Sequence, residues 1–482
     1  MSVTGTLQPE RVFAYFEKLC AVPHGSGNTA QISDLCVGFA KEHGLRCRQD
    51  ALHNVVIWKD ASAGYENAPT VILQGHLDMV CAKTDGCAKN MAEEGLELRT
   101  DGEYLWAENT TLGADDGVAV AMALAVLSDD SLPHPPLEVV FTVDEETGMD
   151  GAVGLDCSDL KGRILFNIDS EDEGVFTVSC AGGVRCNGFI PGAAEAAKDQ
   201  TGYRVTISGL LGGHSGSEIH KGRASASHLM GRVLYMAQRS VPSLRVARLC
   251  GGQVDNAICA FCSAEVCLAP EQATDFEAFI RDFERLLKNE YAASDAGLCL
   301  RAEAIPADTA FDLQSSRRML RALFTLPQGV QEMSMSLPGL VQTSVNLGVV
   351  RTEKDGLHFS CSVRSSIASQ KEMLAQKLEA VTQAAGGTLS QHGSYPGWQY
   401  RPDSPLRELA LDAYRAVTGK EGRAQAIHAG LECGLFMEKM PGLDAVSFGP
   451  DLYDIHTVNE RLNIASTGRI YALVCEMLRR CR

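Results

Sequence analysis

Short apolar runs that end in acidic or histidine residues set the rhythm of this chain. APTVILQG (68–75), LEVVFTV (137–143), RILFNI (163–168) and LDAVSFG (443–449) are rich in Val, Ile and Phe. They read as strands buried on both faces of an α/β sheet. Between them, segments such as DGVAVAMALAVLSDD (116–130) repeat apolar residues at helical spacing, with Asp115 or Asp116 placed to cap the helix. The first run leads into His76 and Asp78, the second into DEETG, the third into Asp169, and the fourth into PDLYDIHTVNE. Open α/β sheets bind ligands at the carboxyl ends of their strands. Residues far apart in sequence are therefore expected to share one pocket, with 1–184 and 397–482 forming one domain.

The stretch 185–396 has a different pattern. GYRVTISGL (202–210) and LHFSCSVRSS (357–366) alternate as half-buried strands, and TDFEAFIRDFERLLKN (274–289) is an amphipathic helix. The stretch follows the glycine pair of SCAGG and ends near the Gly/Pro/Ser-rich HGSYPGWQYRPDSP (392–405), which suits a linker. An inserted α+β domain is expected here.

Composition narrows the function classes. The formal charge of −18 argues against nucleic acid or an anionic membrane as partner, because both require a basic footprint. No apolar stretch is long enough to span a bilayer, and the N-terminus lacks a basic head followed by an apolar core. A soluble, cytoplasmic protein is expected. The 17 cysteines are odd in number and follow no framework spacing, so reduced thiols are expected. The Cys259/Cys262 pair has no second pair at zinc-ribbon spacing and reads as part of a packed strand.

His76 and Asp78 alternate on a strand, so their side chains face the same way. In isolation that pair suits packing as well as metal binding, GADDG suits a helix start, and DEETG suits a solvated turn. Together, His76, Asp78, Asp115, Asp116, Glu145, Glu146, Asp169 and His456 offer the nitrogen and oxygen donors of a two-ion zinc or manganese site. Three ligating carboxylates and one hydroxide would balance two divalent cations.

GHLDMV, TLGADDG, VDEETGMDGA, NIDSEDEG, GGHSG, HAGLECG and DIHTVNE, in this order, resemble the M20 family of di-metal peptidases, and within it the aminoacyl-histidine dipeptidase branch. The resemblance spans nearly the whole chain. It implies a catalytic domain with a mixed central sheet flanked by helices, split by a lid or dimerisation domain that closes over the substrate. It further implies that His76, Asp115 and Asp169 hold one ion, and that Asp115, Glu146 and His456 hold a second. Asp78 would orient His76, and Glu145 would be the general base of a metal-activated hydroxide. In the inserted domain, His214 would stabilise the oxyanion and Asn256 and Arg364 would contact substrate; beyond it, Gly430 of HAGLECG would lend backbone groups. His428 and Glu432 are equally read as structural.

The implied reaction is hydrolysis of dipeptides, Xaa-His among them, with two Zn2+ ions and with Mn2+ or Co2+ as alternatives. A homodimer is preferred over a monomer. Two positions depart from the family pattern, since Cys81 and Cys259 stand where proline is expected. An M20 aminoacylase, deacetylase or tripeptide aminopeptidase shares the metal motifs and remains an alternative. A non-catalytic metal- or peptide-binding protein is a further one, although no ligand or base is missing.

Overall fold

The structure is a computed structural model and describes residues 2–482. It divides into two compact units. The first comprises Met1–Ser179, Tyr400–Ala426 and Leu431–Arg482, and the second Cys180–Gln399 with Ile427–Gly430.

The first unit is built on an eight-stranded mixed sheet in the order Arg46–Gln49, Val55–Lys59, Leu137–Thr142, Val71–His76, Ile164–Asn167, Asp444–Ser447, Val175–Cys180 and Arg423–Ile427. Leu137–Thr142, Val71–His76, Ile164–Asn167 and Asp444–Ser447 run parallel to their neighbours in this series. These strands correspond to the apolar runs of the sequence. Leu137–Thr142 and Val71–His76 are buried at every position, because helices cover the sheet and leave no face for polar alternation. Parallel register puts the strand ends side by side, His76 opposite Thr142 and Gln74 opposite Asn167.

The helix Ala114–Leu127 packs on Val71–His76 and on the helix Glu10–Cys20. Residues Gly117 to Leu127 are all buried, so this helix is apolar on every side rather than amphipathic. Neither Asp115 nor Asp116 caps it, contrary to the sequence expectation. Gly113 is the N-cap, and both aspartates have non-helical backbone angles.

A four-stranded antiparallel sheet, Leu452–Tyr453, Arg461–Asn463, Tyr104–Ala107 and Leu98–Thr100, also belongs to the first unit. Its first hairpin carries the loop that contains His456.

The second unit is a nine-stranded antiparallel sheet. Its long central strands are Val341–Glu353, Gly356–Ser365 and Gly182–Pro191. Inward residues such as Val184, Val345 and Val363 join Leu229, Val233 and Met319 of the helices Ala226–Ser240 and Leu313–Thr325 in one apolar core. The predicted helix at 274–289 is present as Ala273–Glu290.

Candidate metal centre

Parallel strands deliver the first residues. His76 ends Val71–His76 and is 1% exposed. Its Nδ1–H donates to the Asp78 carbonyl at 3.0 Å and lies 3.4 Å from Asp78 Oδ1. That leaves Nε2 turned toward Asp115 Oδ1 at 3.3 Å and Asp169 Oδ1 at 3.8 Å. The Asp78 carboxylate also accepts the backbone N–H groups of Glu145 and Glu146 at 3.1 and 3.3 Å, and the Ser26 hydroxyl at 2.8 Å. One buried aspartate thus orients the imidazole, through its carbonyl and the carboxylate beside it, and its carboxylate holds the start of the turn that bears both glutamates. Burial opposes ionisation of Asp78, but the bonds from His76, Ser26 and Glu145 hold its carboxyl below the usual range.

Asp115 faces both ways. While Oδ1 looks at His76, Oδ2 lies 3.2 Å from His456 Nε2. His456 occupies the left-handed region, φ 61°, which histidine tolerates better than most residues. Glu146 Oε1 sits 2.8 Å from the same His456 nitrogen. The ring's hydrogen bond goes to Asp115, so this buried glutamate oxygen has no donor. Two sets of donor atoms, with Asp115 common to both histidines, could each hold a cation. His76 also forms compact donor groups with Asp116 and Asp169, and with Glu145 and Glu146. Asp116, however, turns its Oδ2 back to accept the His76 backbone N–H at 3.2 Å.

The electrostatics ask for positive charge. Burial and neighbouring carboxylates push Glu145 up to about 8, and burial with Asp116 beside it raises Asp169 well above the carboxylate range. Burial raises Asp116 likewise. The hydrogen bond to Asp115 raises His456 to about 10, with Glu146 adding to it. No lysine or arginine pairs with Asp115, Glu146 or Asp169 among the described residues. An orphaned buried carboxylate oxygen, histidine nitrogens aimed inward and a surplus of acid fit divalent cations bound by oxygen and nitrogen.

Of the supporting groups, sequence reasoning named Glu432 as structural and missed Gln74, Thr142, Asn167 and Glu460. Glu432 is fully buried and accepts from Gln74 Nε2 at 2.6 Å and Thr142 Oγ1 at 2.7 Å. Gln74 Oε1 accepts from Asn167 Nδ2 at 2.6 Å. These polar residues tie together the strands that end in His76, lead to Glu145 and lead to Asp169. Glu460, 3% exposed, holds the chain just before Asp115. Its presence in DIHTVNE and that of Glu432 in HAGLECG were visible, but nothing local revealed their partners.

The other site candidates lie in the second unit. His214 pairs with Ala257 across two short strands, and the Ser215 N–H donates to the Asn256 carbonyl at 2.8 Å, so His214 and Asn256 are neighbours. His214 Nδ1 accepts the N–H groups of Ser217 and Gly216 at 3.1 and 3.3 Å. The neutral ring therefore carries its proton on Nε2. Burial, then Arg364, lowers this imidazole's pKa. Arg364 donates to the Tyr395 hydroxyl at 3.0 Å, but its buried Nε has no acceptor. Across the strand pair stands Ser344, whose Oγ is 2.7 Å from His428 Nε2. Gly430 lies two residues beyond His428 in the loop after Arg423–Ile427.

Comparison with known proteins shows the family and the fold. The chain is 37% identical over 482 residues to the cytosol non-specific dipeptidase of Escherichia coli strain K12, covering 99% of each sequence. The crystal structure of aminoacylhistidine dipeptidase from Vibrio alginolyticus superposes with a TM-score of 0.95 at 35% identity, covering 99% of this chain and 98% of that one. Aminopeptidase PepT from Bacillus cereus, 16% identical, matches with a TM-score of 0.58 over 98% of each chain, a likeness of fold alone. The sequence profile described as peptidase family M20/M25/M40 matches residues 72–480, and the chain belongs to that family.

Proposed function

We propose that this protein is a metal-dependent dipeptidase, acting on dipeptides that include Xaa-His. The observation that carries the reading is the Asp115 carboxylate, which presents one oxygen to His76 and the other to His456. A carboxylate placed this way suits a pair of ions that share a ligand. The names of the Escherichia coli and Vibrio relatives point to dipeptides as the substrate class and, for the former, to the cytosol.

His76, Asp115 and Asp169 would hold one ion and Asp115, Glu146 and His456 the other. Zn2+ suits these donors, as do Mn2+ and Co2+. When bound, such ions lower the pKa of water to about 7 and polarise the scissile carbonyl. Glu145 takes the proton released from water and returns it to the leaving amine. Asp78 keeps the His76 proton on Nδ1, so that Nε2 remains a ligand. The segment 185–396 acts as a lid over the substrate. Within it, the Nε2–H of His214 stabilises the developing oxyanion and Asn256 contacts the substrate, as does the backbone at Gly430, which lies beyond the segment. Arg364, with a buried donor to spare and no carboxylate paired to it among the described residues, clamps the C-terminal carboxylate.

The test is an assay of metal-stripped protein with Zn2+ or Mn2+ restored, on Xaa-His dipeptides, other dipeptides, a tripeptide and an N-acetyl amino acid. Metal-dependent cleavage confined to dipeptides is expected. Preference for the tripeptide or the acetylated substrate would move the protein to the aminopeptidase or aminoacylase branch. Metal binding without cleavage of any substrate would refute catalysis of this kind.

A further inference from the structure

Glu460 is remote in sequence from the helix it serves. Its Oε2 accepts the N–H groups of Leu112 and Gly113 at 2.7 and 3.1 Å, and its Oε1 that of Ala114 at 2.8 Å. These are the residues immediately before Asp115. Gly113 has φ 66°, and Asp115 and Asp116 depart from helical angles, so regular helix begins only after them. The Asp115 side chain therefore projects from irregular backbone that the helix alone does not fix. On its N-terminal side, that backbone is held by one buried carboxylate.

The same carboxylate sits in the loop of His456. Glu460 N–H donates to the Thr457 carbonyl at 3.2 Å, and Thr457 N–H to the Asp454 carbonyl at 3.3 Å, which folds the loop into consecutive turns around His456. His456 and Asp115 must meet, and their atoms stand 3.2 Å apart. Besides the direct contact of the two side chains, Glu460 joins the backbones of the two segments that carry them through three hydrogen bonds.

We propose that Glu460 is a positioning residue that sets Asp115 against His456, and so selectively builds the ion site formed by Asp115, Glu146 and His456. This rests on the reading of Asp115 as the shared ligand. The alternative is an ordinary anion at a helix N-terminus, which would stabilise the fold without discriminating between two ion sites. A glutamine at 460 retains one acceptor oxygen but turns an NH2 group toward backbone donors. An aspartate retains charge but is one methylene too short to span Leu112 to Ala114.

The experiment is a Co2+ titration of the full-length protein against a competing chelator, followed by absorption, for the parent, Glu460→Gln, Glu460→Asp, His456→Ala and the Glu460→Gln/His456→Ala double variant. The parent should bind two ions. Glu460→Gln should weaken one of them by about 10- to 100-fold and leave the other nearly unchanged, the usual range for a group behind a ligand. Glu460→Asp should do the same more mildly, and it serves as the readout if the glutamine variant does not fold. The weakened site should be the one that His456→Ala removes, with no added loss in the double variant. Equal weakening of both ions, unchanged binding, or additive losses would overturn the proposal. A parent that binds a single ion would instead overturn the shared-ligand reading beneath it.

Discussion

Glu145 and Glu146 are adjacent, yet the proposed mechanism gives them different work, and Glu145→Gln separates the two. The substitution preserves side-chain size and leaves both backbone N–H bonds to Asp78, at 3.1 and 3.3 Å, untouched. His76 should therefore keep its orientation. Glu146 Oε1, 2.8 Å from His456 Nε2, is also undisturbed, so both ions should still bind. What disappears is the proton acceptor. Loss of a positioned general base lowers turnover by about 10²–10⁴-fold, or about 2.7–5.5 kcal/mol of transition-state stabilisation. The assay pairs kcat on a dipeptide at saturating metal with ion stoichiometry from a chelator titration. Glu146→Gln is the contrast, expected to lose affinity for one ion. His76, Glu145 and Glu146 themselves form a compact donor group, so the reverse assignment is physically available. A Glu145→Gln variant that drops an ion, or that turns over within about threefold of the parent, would refute the division of roles.

Gly75→Ala should destabilise the first unit, since an added Cβ would stand 2.6 Å from Asp116 Oδ2 and 2.9 Å from Ala119 Cβ. Overpacking of this kind costs about 1–3 kcal/mol, read by calorimetry as a melting point lower by about 2–4 °C per kcal/mol; an unchanged melting point would contradict it. Asp78→Ala keeps the carbonyl that accepts the His76 N–H but removes the carboxylate 3.4 Å from Nδ1 and its bonds to the Glu145 and Glu146 N–H groups, and should weaken metal binding by about 10- to 100-fold, measured by chelator competition; parental affinity would exclude the orienting role of the carboxylate. His428 should impose a pH dependence on stability. Burial, then Arg364, pushes the native ring down to about 3, whereas an unfolded histidine titrates near 6.5. Below about 6.5 the unfolded chain takes up a proton that the native ring refuses, so stability falls with pH toward 3 by up to about 1.4 kcal/mol per pH unit. Urea midpoints at pH 7, 6 and 5 should therefore slope less steeply in His428→Asn, and parallel slopes would refute the argument.

The parallel strands were legible because full burial leaves a compact signature, an unbroken Val/Ile/Phe run that ends where the backbone meets polar residues. VILQGH and LEVVFT carry that signature and lie at the centre of the sheet. Strand order was not legible, since pairing between 71–76 and 137–142 depends on contacts that neither segment encodes alone. The aspartates of GADDG show the limit of local reasoning more sharply. Side-chain propensity makes either a plausible helix cap, but here neither caps: Glu460 takes the N–H groups of Leu112 to Ala114, and Asp115 faces both histidines. Gln74, Thr142 and Asn167 look like incidental polar residues in apolar runs. They have meaning only once Glu432 arrives from a distant loop to satisfy them.

Both buried glutamates show how an acid-rich strand edge keeps its shape. Clustered carboxylates repel one another, and burial deprives them of water, so an unsupported cluster would open. Glu432, itself pushed up to about 7 by burial, ties the strand ends below the cluster through Gln74 and Thr142. Glu460 ties the Asp115 backbone beside it. Neither carboxylate reaches His76 or His456 through its own oxygens in the contacts described, yet each restrains a segment that does. The proposed ligands are thus held in place by hydrogen bonds to strand and helix ends as well as by the pairing of their own histidines and carboxylates. That is the arrangement expected of a centre whose donors converge before the cations that neutralise them arrive.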